Sequence, residues 1–145
     1  MNRLAVAFAS AILLGATPSL AQTVGSCSPG PGSTAASAPV WVMFDLGSAQ
    51  LRADDKPKIA QAVATAKARQ STRVCLVGQT DKLGDKAMNE KLAMARSRAV
   101  ATEMIRVGYP AANLVIASNP EAFGDLSVGS ADSQEKDRRV TIVFR

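Results

Sequence analysis

Histidine is absent from all 145 residues, which excludes His-ligated metal sites and any Ser–His or Cys–His nucleophile relay. No pair of carboxylates can be placed together in a pocket either, so the residues argue against an enzyme, and no cofactor or metal is expected. Long apolar runs are scarce. The one present, Leu4 to Leu14, follows Arg3 and precedes Pro18, Ser19 and Ala21; at about eleven residues it falls well short of the roughly 20 that a bilayer span needs. This is the layout of a secretory signal peptide over residues 1–21, cleaved after Ala21, with no transmembrane span beyond it. There is no internal repeat and no block of like charge. Lys and Arg number 17 against 12 Asp and Glu, and cleavage would remove only Arg3, leaving 16 cations spread along the chain. Export makes nucleic acid an unsuitable partner and an anionic polymer outside the cytoplasm a suitable one.

Cysteine is also sparse: Cys27 and Cys75 are the only two. An even count in an exported chain favours a bridge between them, closing a loop of about 50 residues and contributing roughly 4 kcal/mol in the chain-entropy model. A competing reading makes Cys27 a lipidated N-terminus, because VGSC loosely resembles a lipoprotein cleavage box. Such a cysteine normally follows the apolar run directly, whereas here about a dozen residues intervene.

What is present divides into three parts: the signal peptide, an arm at residues 22–39, and a domain at residues 40–145. The arm is rich in Gly, Ser, Pro, Thr and Ala, has little to bury and reads as flexible. From Val40 to Leu46 apolar residues alternate, with Val42, Phe44 and Leu46 on one side and Trp41, Met43 and Asp45 on the other, predicting a strand. Asp54 and Asp55 then favour a helix start, and Ile59, Ala62, Val63 and Ala66 recur at helical spacing. Arg73 to Val77 is the second strand. Lys86 to Arg106 is the second helix, with Ala93, Val100 and Met104 on one stripe and Gly108 and Pro110 as its stop. Leu114 to Ala117 is a third strand, Asn119 to Gly129 a loop, Ala131 to Lys136 a candidate short helix, and Arg139 to Phe144 the last strand. The order predicts an α+β fold, βαβαβ(α)β, with one mixed four-stranded sheet and helices packed on one face.

The stretch from Gly78 to Arg96 carries the chemistry. Asp81 lies in a Gly-flanked turn, and Asn89 and Arg96 are seven residues apart in the following helix, almost two whole turns, so they project from one side. An acid and a base converging on one ligand suit a zwitterion, each forming charge-assisted hydrogen bonds worth roughly 1.5 to 3 kcal/mol. The alternative gives Asp81 to the turn and lets Arg96 lay its stem on apolar surface with its head in water.

The pattern Thr80, Asp81, Gly84, Asn89, Leu92 and Arg96 resembles the motif of the OmpA-like peptidoglycan-binding domain, shared by outer membrane protein A and the peptidoglycan-associated lipoproteins. FDLGSAQL at residues 44–51 is similar to that family's FDFDSAxL, and DRRV at residues 137–140 to its NRRV. The resemblance spans residues 40–145. It implies a periplasmic module that binds the peptide stem of peptidoglycan non-covalently by the zwitterionic end of meso-diaminopimelate. By position, Asp81 would take the ammonium and Arg96 the carboxylate, Thr80 and Asn89 would brace the site beside Leu92, and Arg138 would add a contact. Alternation agrees, placing Arg138 on the helix side with Val140 and Ile142, and Arg139 on the opposite, solvated side. Three positions depart from the pattern: Gln79 replaces His, Gly47 replaces Asp, and Asp137 replaces Asn. The usual Gly-x-Gly turn is also missing around Asn119 and Pro120.

The sheet face away from the helices carries Trp41, Met43, Cys75, Val77, Thr141 and Val143, too apolar a set to be left facing water. Either the arm covers it, anchored by Cys27, or an envelope protein does. The second possibility is an alternative function, in which the fold serves protein interaction or assembly through the Trp41 face.

Overall fold

The computed structural model describes residues 23–25, 27, 38–81, 84–118 and 135–145. The signal peptide, most of the arm, the Asn119–Gly129 loop and the first part of the expected short helix lie outside these residues. Strands β1 (Thr23–Val24), β2 (Val40–Met43), β3 (Val74–Gly78), β4 (Leu114–Ser118) and β5 (Arg139–Phe144) alternate with helices α1 (Asp55–Ala68) and α2 (Lys86–Arg106). The strands form one mixed sheet in the order β1-β4-β3-β5-β2, with β1, β4 and β3 parallel and β5 antiparallel to both β3 and β2. Single-turn 3-10 helices occupy Ala111–Asn113 and Glu135–Asp137.

The four expected strands are all present, and a fifth joins them. Thr23 and Val24, assigned above to a flexible arm, pair with Val115 and Ile116 along the outer edge of β4, and Gly25 N donates to Ile116 O at 3.1 Å. The physical reason is that β4 otherwise ends the sheet with unpaired backbone groups, and a Thr–Val pair of β-branched residues is well suited to cover them. The first strand is shorter than its alternation suggests. Phe44 remains fully buried, but the chain then turns, Ser48 N donating to Asp45 O at 3.1 Å with Gly47 at φ +65°. Leu46, expected beside Phe44, is therefore 64 % exposed.

One side of the sheet supplies Val42, Val74, Leu76, Leu114, Ile116, Val140 and Ile142 to the core. Ile59, Ala62, Val63 and Ala66 of α1 and Val100, Ala101 and Met104 of α2 close over them. The start of α2 is fixed by Asp85, whose Oδ1 accepts from Met88 N at 3.0 Å; such a cap contributes about 1 kcal/mol. Its end is marked by Gly108 at φ +90°, with Tyr109 N returning to Met104 O at 2.9 Å.

Contact between α2 and β3 is unusually close at one point. A side chain at Gly78 would clash with the carbonyl oxygen of Ala93 and lie 2.6 Å from Ser97 Oγ. Ser97 Oγ donates across the same seam to Ala117 O at 3.1 Å. Backbone meets backbone here, and the side chain of Arg96 is thereby delivered beneath the loop that leaves β3.

Candidate functional site

The site lies where β3 ends and α2 begins. Gln79, Thr80 and Asp81 continue from β3 as a buried segment, 5 %, 3 % and 6 % exposed. Asn89 ties this segment to the first turns of α2, its Nδ2 donating to Asp81 O at 3.3 Å. The Asp81 carboxylate faces the end of β5, where Arg138 Nη1 lies 3.6 Å from Asp81 Oδ2. Arg138 is thus on the helix side of the sheet, as alternation predicts. The Thr80 hydroxyl is buried and has no hydrogen-bond partner among the described residues. Leu92, half-buried, lies one helical turn before Arg96 on α2.

Arg96 occupies a position its spacing does not reveal. It is the largest fully buried side chain among the described residues. Nε donates to Ser48 O at 2.9 Å, Nη1 to Gln79 O at 2.9 Å and Nη2 to Asp45 O at 3.0 Å, while the guanidinium carbon lies 5.4 Å from the centre of the Phe44 ring. Desolvation lowers its pKa to about 10, a shift opposed by the charge of Asp81 and reinforced by that of Arg138. The group therefore remains a cation at neutral pH. Its three bonds go to carbonyl dipoles rather than to a carboxylate, so its charge is solvated but not cancelled. A guanidinium has five N–H bonds, and three of them are used by these carbonyls. Among the described residues the site brings two guanidinium cations, Arg96 and Arg138, near the Asp81 carboxylate.

Two participants were not foreseen as such. Gln79, read only as a departure from a pattern, links both faces of the sheet. Its carbonyl holds Arg96 on the helix side, and its Oε1 accepts from Arg139 Nε at 2.7 Å on the other. Arg139, expected to be a solvated surface residue, is half-buried and stacks over Trp41 with its guanidinium carbon 4.7 Å from the ring centre. The signal was available in the alternation, which puts Arg139 and Trp41 on one face, but not in their separation along the chain.

The outer face is partly covered. Cys75 and Val115 are buried, whereas Trp41 is 52 % exposed. Cys27 comes over this face, its Sγ 3.9 Å from Val115 O and its carbonyl accepting from Arg145 Nη2 at 3.1 Å. Both cysteines carry free thiols in this structure. Among the described residues no His, Cys, Asp or Glu cluster could hold a metal, and no helix is long and apolar enough to cross a membrane.

Comparison with known proteins extends this picture. The model of the OmpA family matches residues 43–141. The outer-membrane lipoprotein YfiB of Pseudomonas aeruginosa is 29 % identical over 106 residues, 70 % of this chain and 61 % of that protein. The photosystem I P700 chlorophyll a apoprotein A2 of Gloeobacter violaceus is 27 % identical over 126 residues, 81 % of this chain but 14 % of that protein. The chain thus spans less than two thirds of either curated relative. In fold it is similar to the peptidoglycan-associated lipoprotein of Burkholderia pseudomallei, with a TM-score of 0.64 and 21 % identity over 72 % of this chain and 89 % of the other.

Proposed function

The chain belongs to the OmpA family, and on that premise we propose that it is a non-enzymatic periplasmic module that binds peptidoglycan non-covalently, through the zwitterionic end of meso-diaminopimelate in the stem peptide. The observation that carries the reading is the pairing of Asp81 with Arg138, 3.6 Å apart, beside the buried cation of Arg96, which feels the charges of both. Asp81 would take the ammonium. The carboxylate would be taken by Arg96, with Arg138 beside it, and Thr80 and Asn89 would brace the site. Because Arg96 is fully buried, ligand entry calls for the Asp45–Ser48 turn to move aside, exchanging carbonyl dipoles for a full negative charge. Two or three charge-assisted hydrogen bonds of about 1.5 to 3 kcal/mol each support weak to moderate affinity.

The test is a titration of the protein with meso-diaminopimelate and with a stem peptide containing it, followed by amide NMR shifts, beside the variants Asp81→Asn and Arg138→Ala. Shifts confined to residues 44–48, 78–81, 84–96 and 135–140 in the native protein, and reduced at least tenfold in apparent affinity in both variants, are expected. A silent titration of the folded native protein would overturn the reading. A second reading, an envelope interaction or assembly role, is favoured by the exposure of Trp41 on β2, which is an edge strand of the sheet. Retention on purified sacculi that survives Trp41→Ala but not Asp81→Asn would decide for the wall; a folded native protein that sacculi do not retain would decide for a protein partner.

A further inference from the structure

The arm and the sheet meet at a pair of sulfurs that the proposed wall site does not use. Cys75 lies in the middle of β3 on the outer face and pairs in register with Val115 of β4. The carbonyl of that same Val115 is the group nearest Cys27 Sγ in the hydrogen-bond network, so the two thiols are brought over one strand position. The charge state of each thiol is set first by the other. Two further bonds hold this arrangement. Arg145 Nη2 grips the carbonyl of Cys27, and the Arg145 backbone exchanges hydrogen bonds with Arg73, Arg145 N to Arg73 O at 2.9 Å and Arg73 N to Arg145 O at 3.3 Å, two residues before Cys75.

We propose that Cys27 and Cys75 are the two halves of an intramolecular disulfide that staples the N-terminal arm across the outer face of the sheet, with Cys27 as the entry sulfur and Cys75 as the resolving one. The roles follow from access and charge. Cys27 is half-buried, whereas Cys75 is 1 % exposed beneath the arm, so an oxidant can reach only the former. Cys75 is the better nucleophile within the pair: the hydrogen bond from Cys27 and the charges of Arg145 and Arg73, opposed by burial, lower its pKa to about 7, while the same hydrogen bond and burial raise that of Cys27. The oxidant is a disulfide-bearing thiol-exchange partner, small molecule or protein. Cys27 sulfur, losing its proton to solvent, forms a bond to one oxidant sulfur as the oxidant's own S–S bond breaks and its first thiolate leaves. The Cys75 thiolate then attacks Cys27 Sγ and expels the second oxidant thiolate. One S–S bond forms, one is broken, two electrons pass to the oxidant, and two protons are released.

The same geometry argues against lipidation of Cys27. Processing that makes a cysteine the lipidated N-terminus removes everything before it, and here that would strip Thr23 and Val24 from the edge of β4 and consume the thiol that faces Cys75.

The test uses the chain purified from an exporting host without reductant, together with Cys75→Ser and Cys27→Ser. Intact mass after maleimide labelling should show no reactive thiol in the native protein, and a Cys27–Cys75 peptide should be recovered by proteolysis. After reduction and exposure to oxidised glutathione, the native protein should reform the bridge. Cys75→Ser should stop at a glutathione adduct on Cys27, and Cys27→Ser should leave Cys75 unmodified. Reduction should lower Tm by on the order of 10 °C in the native protein and leave both variants unchanged. Two labelled thiols in the unreduced native protein, a bridge only between chains, or a diacylglycerol mass on Cys27 would each overturn the proposal. None of these outcomes bears on wall binding, which is read from a separate titration.

Discussion

Removing the Arg96 side chain would leave the buried carbonyl of Gln79 and the part-buried carbonyls of Asp45 and Ser48 without their donor, and would unstack Phe44 as well. Each buried carbonyl left unpaired costs about 1 to 3 kcal/mol, part of it recovered by relaxation. Arg96→Ala is therefore expected to lower the unfolding free energy by about 3 to 5 kcal/mol in urea titration. Arg96→Lys should recover little of this, because one ammonium cannot span three diverging acceptors. A loss below about 1 kcal/mol for the alanine variant would show that these bonds are replaced by water. The consequence for binding studies is direct: Arg96 variants confound folding with recognition. At this scale the chain was partly legible. Spacing put Arg96 on one side of α2 with Asn89, but neither its burial nor the identity of its partners could be read. Acceptors drawn from backbone 48 and 51 residues away leave no trace in side-chain identity. Gly47 is similar: its departure from an acidic pattern becomes intelligible once φ is seen to be +65°, a conformation that glycine adopts freely and aspartate tolerates.

The seam between β3 and α2 sets the height at which Arg96 enters the site. Gly78→Ala would press a methyl group into the Ala93 carbonyl and Ser97 Oγ, and because backbone cannot move aside as a flexible side chain does, α2 must shift away from the sheet. The expected cost is about 3 kcal/mol, at the upper end for overpacking. Ser97→Ala, which removes only the bond to Ala117 O, should cost about 1 kcal/mol. Chemical denaturation of both variants checks the ordering; equal losses, or a neutral Gly78→Ala, would mean that the seam is loose. Element limits were the most readable part of the chain. Both α2 and β5 begin and end where periodicity and stop signals place them, at Lys86–Arg106 and Arg139–Phe144. The short β1 was not readable, because two residues carry no periodicity and pair only when an open strand edge is within reach.

Across the whole molecule, charge and burial act on different stages of binding. The chain carries a formal net charge of +5, and exposed cations raise the local concentration of an anionic polymer, an effect screened beyond a Debye length of about 8 Å at physiological ionic strength. The proposed ligand contacts are of another kind. Asp81 and Arg96 are buried, and interactions among desolvated groups are screened far less by salt. Retention on intact sacculi should therefore fall several-fold between 50 mM and 500 mM salt, while affinity for free meso-diaminopimelate, measured by the same NMR shifts, should change less than about twofold over that range. A protein that held the wall by surface charge alone would show a steep loss in the first measurement and no saturable binding in the second. Equal salt sensitivity in both would place the ligand contacts at the solvated surface and remove the constellation of buried Asp81 and Arg96 with Arg138 from the recognition step.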